Sequence, residues 1–131
     1  HPKYIDKAIS LGYDVEIDIW FISDNFYLGH DSPQYKIDFE WVNNRKSRLW
    51  VHCKNIDAIV QIKKLETKNK FTDINFFFHD KDDLTLTSKN YLWVHPGKQP
   101  VNNSIAVLPE LMGDDTSVCI GICSDKIKDY T

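Results

Sequence analysis

The chain has 131 residues, 42% of them hydrophobic, and a formal net charge of −3 at pH 7. This length suits one hydrophobic core and is short for two domains. The small negative charge gives no support to a nucleic-acid surface, and no apolar run approaches the ~20 residues of a membrane-spanning helix. The three cysteines, Cys53, Cys119 and Cys123, lie in apolar runs. Their odd number is typical of buried free thiols and indicates a reducing, cytoplasmic compartment.

The N-terminal part of the chain predicts a helix followed by a hairpin. Apolar residues at helical spacing predict a helix over Lys3–Leu11, which Gly12 ends. The alternating run Asp14–Trp20 predicts a strand. A turn at Ser23–Asn25 then returns the chain as the hairpin arm Phe26–Leu28.

The rest of the chain predicts one long helix among short strands. Asp38 is expected to cap a short helical turn, and Leu49–Lys54 reads as a strand. Asn55 is expected to cap an amphipathic helix over Ile56–Thr67. Further β-prone runs are Ile74–Phe78, Thr85–Thr87, Tyr91–Val94, Ser104–Leu108 and Val118–Ile122.

The most informative motif is the acid pair Glu16 and Asp18. Residues two apart on a strand point to the same face, so these carboxylates project together. Two neighbouring carboxylates repel and are costly to desolvate, and a divalent cation removes that penalty. His30, returned by the hairpin, would add a proton-transfer group. The alternative interpretation from spacing alone is a half-exposed strand whose acids face water.

Most of the apolar runs end in polar residues that could take part in catalysis or ligand binding. A buried sheet with a functional C-terminal edge gives this pattern, and parallel α/β barrels are built that way. Only one connection holds a long helix, so the pattern predicts an α/β fold: a reduced TIM-like (β/α) barrel with several outer helices shortened to loops. The alternative is that strands of soluble proteins commonly end in polar residues. The residues expected around one pocket are His30, His52, Lys54, His79, His95 and Glu110.

The stretch AISLGYDVEIDIWFISDNFYLGHD resembles the glycerophosphodiester phosphodiesterase family, one of the phospholipase-C-like phosphodiesterase barrels. A helix, a glycine, a strand ending in Glu-x-Asp, a hairpin and a His-Asp pair carry the resemblance. It implies that Glu16 and Asp18 bind a metal, that His30 is the acid/base group and that Lys54 contacts the phosphate. His52 stands where the family usually has a third metal-binding carboxylate, so we expect it to be the third ligand.

The family's first strand, which carries a second catalytic histidine, has no counterpart in this chain. The predicted helix Lys3–Leu11 already corresponds to the family's first helix. We therefore expect one phosphodiesterase-like barrel domain over residues 1–131, incomplete at its N-terminus. Because an unpaired inner strand edge is unfavourable, an upstream segment or a partner is expected beside Asp14–Trp20.

Together these patterns predict a metal-dependent hydrolase of lipid metabolism that acts on a small glycerophosphodiester-like molecule. Calcium or magnesium is the favoured cation, and the imidazole of His52 makes manganese or zinc compatible. The catalytic residues are then His30 and Lys54, the metal ligands are Glu16, Asp18 and His52, and the substrate-binding residues are His79, His95 and Glu110.

Two other functions stay open. One is a non-catalytic member of the same fold that binds a phosphorylated sugar or glycerol compound. The other is a glycosidase on a reduced barrel that uses Glu16 and Glu110 as a carboxylate pair. Metal dependence separates the glycosidase from the other two, since a two-carboxylate mechanism needs no metal.

Overall fold

The computed structural model describes residues 1–130, which form two compact units that meet in sequence between Phe78 and His79. None of the helices within those residues is both long enough and apolar enough to cross a membrane. The expectation of one domain stays a prediction, because two compact units can belong to one domain. The expectation of an upstream segment beside the first strand also stays a prediction.

The first unit is a five-stranded mixed sheet with three α-helices. Its sheet order is β3-β2-β1-β4-β5, in which β1, β4 and β5 run parallel and β2 and β3 are antiparallel to their neighbours. The elements are α1 (Pro2–Ser10), β1 (Val15–Ile22), β2 (Asn25–Leu28), β3 (Tyr35–Ile37), α2 (Phe39–Asn43), β4 (Leu49–Cys53), α3 (Ile56–Thr67) and β5 (Phe76–Phe78).

One face of this sheet builds the core of the first unit. Side chains alternate between the two faces of a strand, so Ile17 and Ile19 of β1 and Val51 of β4 all point into that core. From α3, Ala58 and Ile62 belong to the same buried cluster. Fully burying an aliphatic side chain of this size stabilises a fold by roughly 1.5–3 kcal/mol. The intervening residues, Glu16 and Asp18 among them, therefore face the other side of the sheet.

Two helix caps follow the sequence prediction closely. The Asn55 side chain accepts a hydrogen bond from the Ala58 amide, and α3 then spans Ile56–Thr67 as predicted. The Asp38 side chain accepts from the Glu40 amide at the start of α2. Each cap satisfies a backbone donor that the first helical turn leaves without an intrahelical acceptor.

The second unit carries a four-stranded mixed sheet of order β6-β7-β8-β9. Strands β7, β8 and β9 run parallel, and β6 is antiparallel to β7. Its buried apolar residues include Trp93 and Val94 of β7 and Ile105 and Ala106 of β8. The strands are β6 (Leu84–Leu86), β7 (Leu92–Val94), β8 (Ser104–Val107) and β9 (Gly121–Cys123).

The predicted reduced TIM-like barrel is wrong. Residues 1–130 form two separate mixed sheets of five and four strands, neither of which closes on itself, with only three α-helices. A barrel requires a ring in which each strand has a neighbour on both sides. Here the hairpin strand β2 pairs with one side of β1, and β6 pairs antiparallel with β7. Antiparallel strands therefore flank both parallel triplets, in place of the next parallel strand that a barrel would need.

Two shorter strand predictions also differ from the structure. Strand β3, Tyr35–Ile37, lies in a segment for which the sequence pattern predicts no strand. The run Val118–Ile122 holds a turn at its start, and β9 begins only at Gly121. In both places hydrogen bonding to a neighbouring strand decides the outcome, and local residue type does not report it.

Candidate metal centre

Glu16, Asp18 and His52 converge on the sheet face opposite the core of the first unit. The parallel register of β1 and β4 places Asp18 opposite His52. His52 Nδ1 lies 3.1 Å from Asp18 Oδ1 and 3.9 Å from Glu16 Oε1. One ligand atom from each of the three side chains lies within 4.8 Å of the other two. Two carboxylate oxygens and one imidazole nitrogen are thus close enough to share one ion.

The three side chains are largely removed from solvent. The exposed fractions are 13% for Asp18, 14% for His52 and 26% for Glu16. The next strand adds Phe77, whose ring stacks on that of His52 with centroids 5.0 Å apart and planes 14° apart. This stacking restrains the plane of the imidazole beside the carboxylates.

The electrostatics of the cluster favour an ionised Asp18. Burial alone would raise the pKa of Asp18, but hydrogen bonds with His52 and Glu16 lower it. Electrostatic interactions with His52 and Lys54 lower it further. The pKa of Asp18 therefore lies below its ordinary value, and Asp18 is a carboxylate ready to bind a cation at neutral pH.

Lys54 directly follows the end of β4. Its backbone amide donates to the Ile19 carbonyl at 2.8 Å, which extends the β1–β4 pairing one residue beyond the strand. Its charge is the smallest of the causes that lower the pKa of Asp18. A positive charge beside a metal-binding acid pair can hold an anionic group that reaches the same site.

His30 lies on a tight turn that contacts β1 through the preceding residue. The Gly29 amide donates to the Asp18 carbonyl at 3.2 Å, and the indole N–H of Trp20 donates to the Gly29 carbonyl at 2.6 Å. The His30 side chain is 78% exposed, and its Nδ1 lies 2.8 Å from Asp31 Oδ1. The turn thus holds the backbone beside His30 against Asp18, while the imidazole itself faces solvent.

The other three predicted site residues belong to the second unit. The rings of His79 and His95 lie with centroids 5.8 Å apart, and His79 Nδ1 is 3.6 Å from Asp82 Oδ2. Their convergence with the first-unit residues on one pocket stays a prediction.

Glu110 has a structural role in the second unit. The hydroxyls of Ser124 and Tyr130 donate to its two carboxylate oxygens at 2.7 and 3.0 Å. The hydrogen bond from Ser124 is the main cause that holds the pKa of Glu110 below its usual range. This carboxylate therefore ties the C-terminal 3-10 turn, Ile127–Tyr130, to the turn after β8.

The donor set of the first unit fits a divalent cation. Carboxylate oxygen and neutral imidazole nitrogen are both common protein ligands, and three such donors leave coordination positions open for water or substrate. Across residues 1–130 this is the one group of three or more histidine, cysteine or acidic side chains that converges in this way.

Sequence reasoning missed two residues that shape the site. Phe77 supports His52, but only the register of β4 and β5 brings the two rings together. Trp20 pins the turn that carries His30. Its position two residues after Asp18 was the available signal, because it places the indole on the same strand face.

The chain matches no family model, no curated protein and no solved structure. The resemblance to glycerophosphodiester phosphodiesterases therefore stays a prediction, carried by the residues of the first unit.

Proposed function

We propose that this protein is a metal-dependent phosphodiester hydrolase acting on a small glycerophosphodiester-like substrate. The observation that carries the proposal is the convergence of Glu16, Asp18 and His52 within 4.8 Å. The charge of Lys54 beside this cluster supports the proposal, since the cluster can hold a cation and Lys54 can hold a phosphate at the same site. The proposal does not depend on a barrel.

In this proposal each residue has a defined task. Glu16, Asp18 and His52 hold the cation. A bound divalent cation supplies neutralisation of the charge that develops on the non-bridging phosphate oxygens. Lys54 binds the phosphate as a point charge and orients it.

His30 is the proposed proton-transfer group. The contact from Nδ1 to Asp31 favours the tautomer with the proton on Nδ1, which leaves Nε2 with a lone pair. That nitrogen can accept the proton of an attacking hydroxyl and, once protonated, donate it to the leaving alkoxide. Its position next to Gly29, which is hydrogen-bonded to Asp18, supports this assignment.

The two alternative functions receive different support. The 78% exposure of His30 favours the non-catalytic phosphate-binding protein, because a proton-transfer group works best where water is excluded. The lowered pKa of Glu110 makes it unsuited to the general-acid role of a glycosidase, so that hypothesis would leave the acid role to Glu16.

The test is hydrolysis of a panel of glycerophosphodiesters by the full natural chain, with divalent cations added singly and after chelation. Asp18→Asn should lower the rate on the order of 10²–10³-fold. His30→Ala should lower it on the order of 10²–10⁴-fold and keep metal binding. Asp24→Asn makes the same chemical change on the β1–β2 turn, outside the cluster, and should leave the hydrolysis rate unchanged.

Three outcomes would count against the proposal. Chelator-resistant hydrolysis would exclude the metal mechanism. Full activity of His30→Ala would remove the proton-transfer role. Metal and phosphate binding without turnover of any substrate on the panel would establish the non-catalytic binding protein instead.

A further inference from the structure

We infer that the metal centre of Glu16, Asp18 and His52 is built for a borderline transition-metal cation, Zn²⁺ ahead of Mn²⁺, rather than for calcium or magnesium. This inference rests on the metal site of the proposed function and names the cation class that the site selects. It also departs from what the resemblance to the phosphodiesterase family implies, because the favoured cations there were calcium and magnesium.

The first argument is the identity of the donor atoms. His52 presents Nδ1 to both carboxylates, at 3.1 Å from Asp18 and 3.9 Å from Glu16. Calcium takes six to eight oxygen ligands, and magnesium prefers an octahedron of oxygens. An imidazole nitrogen suits zinc and other transition metals. The central ligand of this cluster is therefore the wrong atom for a hard cation and a suitable one for a borderline cation.

The second argument is the spacing of the donors. Zinc binds nitrogen and carboxylate oxygen at about 2.0–2.2 Å, so two ligands of a tetrahedral site lie about 3.4 Å apart. The two distances from His52 Nδ1, 3.1 and 3.9 Å, lie on either side of that value, so the spacing is compatible with zinc, and the selection against calcium comes from the donor atoms. Three protein ligands with a fourth position open is also the usual arrangement of catalytic zinc.

The third argument is that His52 is held in place. It lies on β4, between β1 and β5, and is only 14% exposed. Phe77 stacks on its ring with planes 14° apart. Removing the imidazole to let oxygens surround a calcium ion would break this stacking and the contact with Asp18. The preference for nitrogen is thus built into the sheet.

The test is isothermal titration calorimetry of the metal-stripped full chain with zinc, manganese, magnesium and calcium chlorides. Zinc should bind tightest, manganese next, and magnesium and calcium at least about tenfold more weakly than zinc. His52→Glu replaces the imidazole by the carboxylate that the resembled family carries there, and it should lower zinc affinity and raise that for magnesium and calcium. His1→Gln removes an imidazole at the chain terminus and should leave the order unchanged.

A measurement on the unaltered chain covers the case in which His52→Glu fails to fold. Zinc should shift the ¹⁵N NMR signals of the His52 ring, and calcium should not. Calcium or magnesium binding more tightly than zinc, or zinc binding without a shift of the His52 signals, would overturn the inference and leave the hydrolase proposal standing. Binding of no cation would overturn both and identify the cluster as an ion pair of His52 with the two acids. A zinc-loaded protein that hydrolyses nothing would overturn only the hydrolase.

Discussion

Replacing Asn55 by alanine should destabilise the first unit more than the loss of a helix cap alone. The Asn55 Oδ1 accepts from the Ala58 amide at 3.1 Å, which caps α3. The same oxygen accepts from the Phe21 amide at 3.2 Å, and Nδ2 donates to the Phe21 carbonyl at 3.0 Å. One side chain therefore joins the start of α3 to the end of β1, directly after Lys54 in the chain.

The magnitude follows from these three hydrogen bonds. Loss of an asparagine cap costs about 1 kcal/mol. Each of the two bonds to the Phe21 backbone contributes about 0.5–1.5 kcal/mol. Asn55→Ala should therefore lower the free energy of unfolding by about 2–4 kcal/mol. Asn55→Ser keeps a capping oxygen but is too short to span to Phe21, so it should cost about 1–3 kcal/mol, the part that belongs to the two Phe21 bonds.

The assay is urea unfolding followed by tryptophan fluorescence, with the free energy taken from the midpoint and slope. Trp20, Trp41 and Trp50 belong to the first unit, and Trp93 can be replaced by phenylalanine to confine the signal to that unit. A loss below about 1 kcal/mol for Asn55→Ala would show that the Phe21 bonds contribute nothing. Equal losses for alanine and serine would show that the cap contributes nothing.

Three further predictions concern other residues of the first unit. Because the pKa of Asp18 lies below its ordinary 3.8, its ionised form stabilises the fold at pH values above 3.8, and this stabilisation is lost as the pH falls through the lower folded pKa. Acid unfolding of Asp18→Asn should lack this loss, and identical stability-against-pH profiles for the variant and the unaltered protein would contradict the prediction. Gly29→Ala should destabilise the fold more than Gly12→Ala in thermal melts, since a Cβ at Gly29 collides with the Ser32 carbonyl oxygen, whereas Gly12, with φ +91°, has nothing within 4 Å and should cost only about 1–2 kcal/mol of backbone strain. Burial raises the pKa of Cys53 to about 12, so iodoacetamide should leave Cys53 unmodified at pH 8 until urea unfolds the chain, and mass spectrometry showing rapid labelling of the native protein would refute this.

The sequence alone predicted those structural features that arise from residues close together in the chain. The start and end of α3 follow from the asparagine cap and the apolar spacing within the helix itself. The shared face of Glu16 and Asp18 follows from the two-residue period of a strand. These features depend on residues a few positions apart, and no distant part of the chain can change them without breaking the element.

Tertiary structure decided what joins distant segments. The sequence assigned His52 to the acid pair only through a resemblance, and it is the parallel register of β1 and β4 that brings it to Asp18. A slip of one residue would place the core residue Cys53 there, because strand side chains alternate between faces. The predicted barrel failed for a related reason: closure depends on which strand occupies each sheet edge, and β2 and β6 pair antiparallel there. Polar residues at strand ends can be recognised locally, but edge pairing is a contact between distant segments, and no local pattern encodes it.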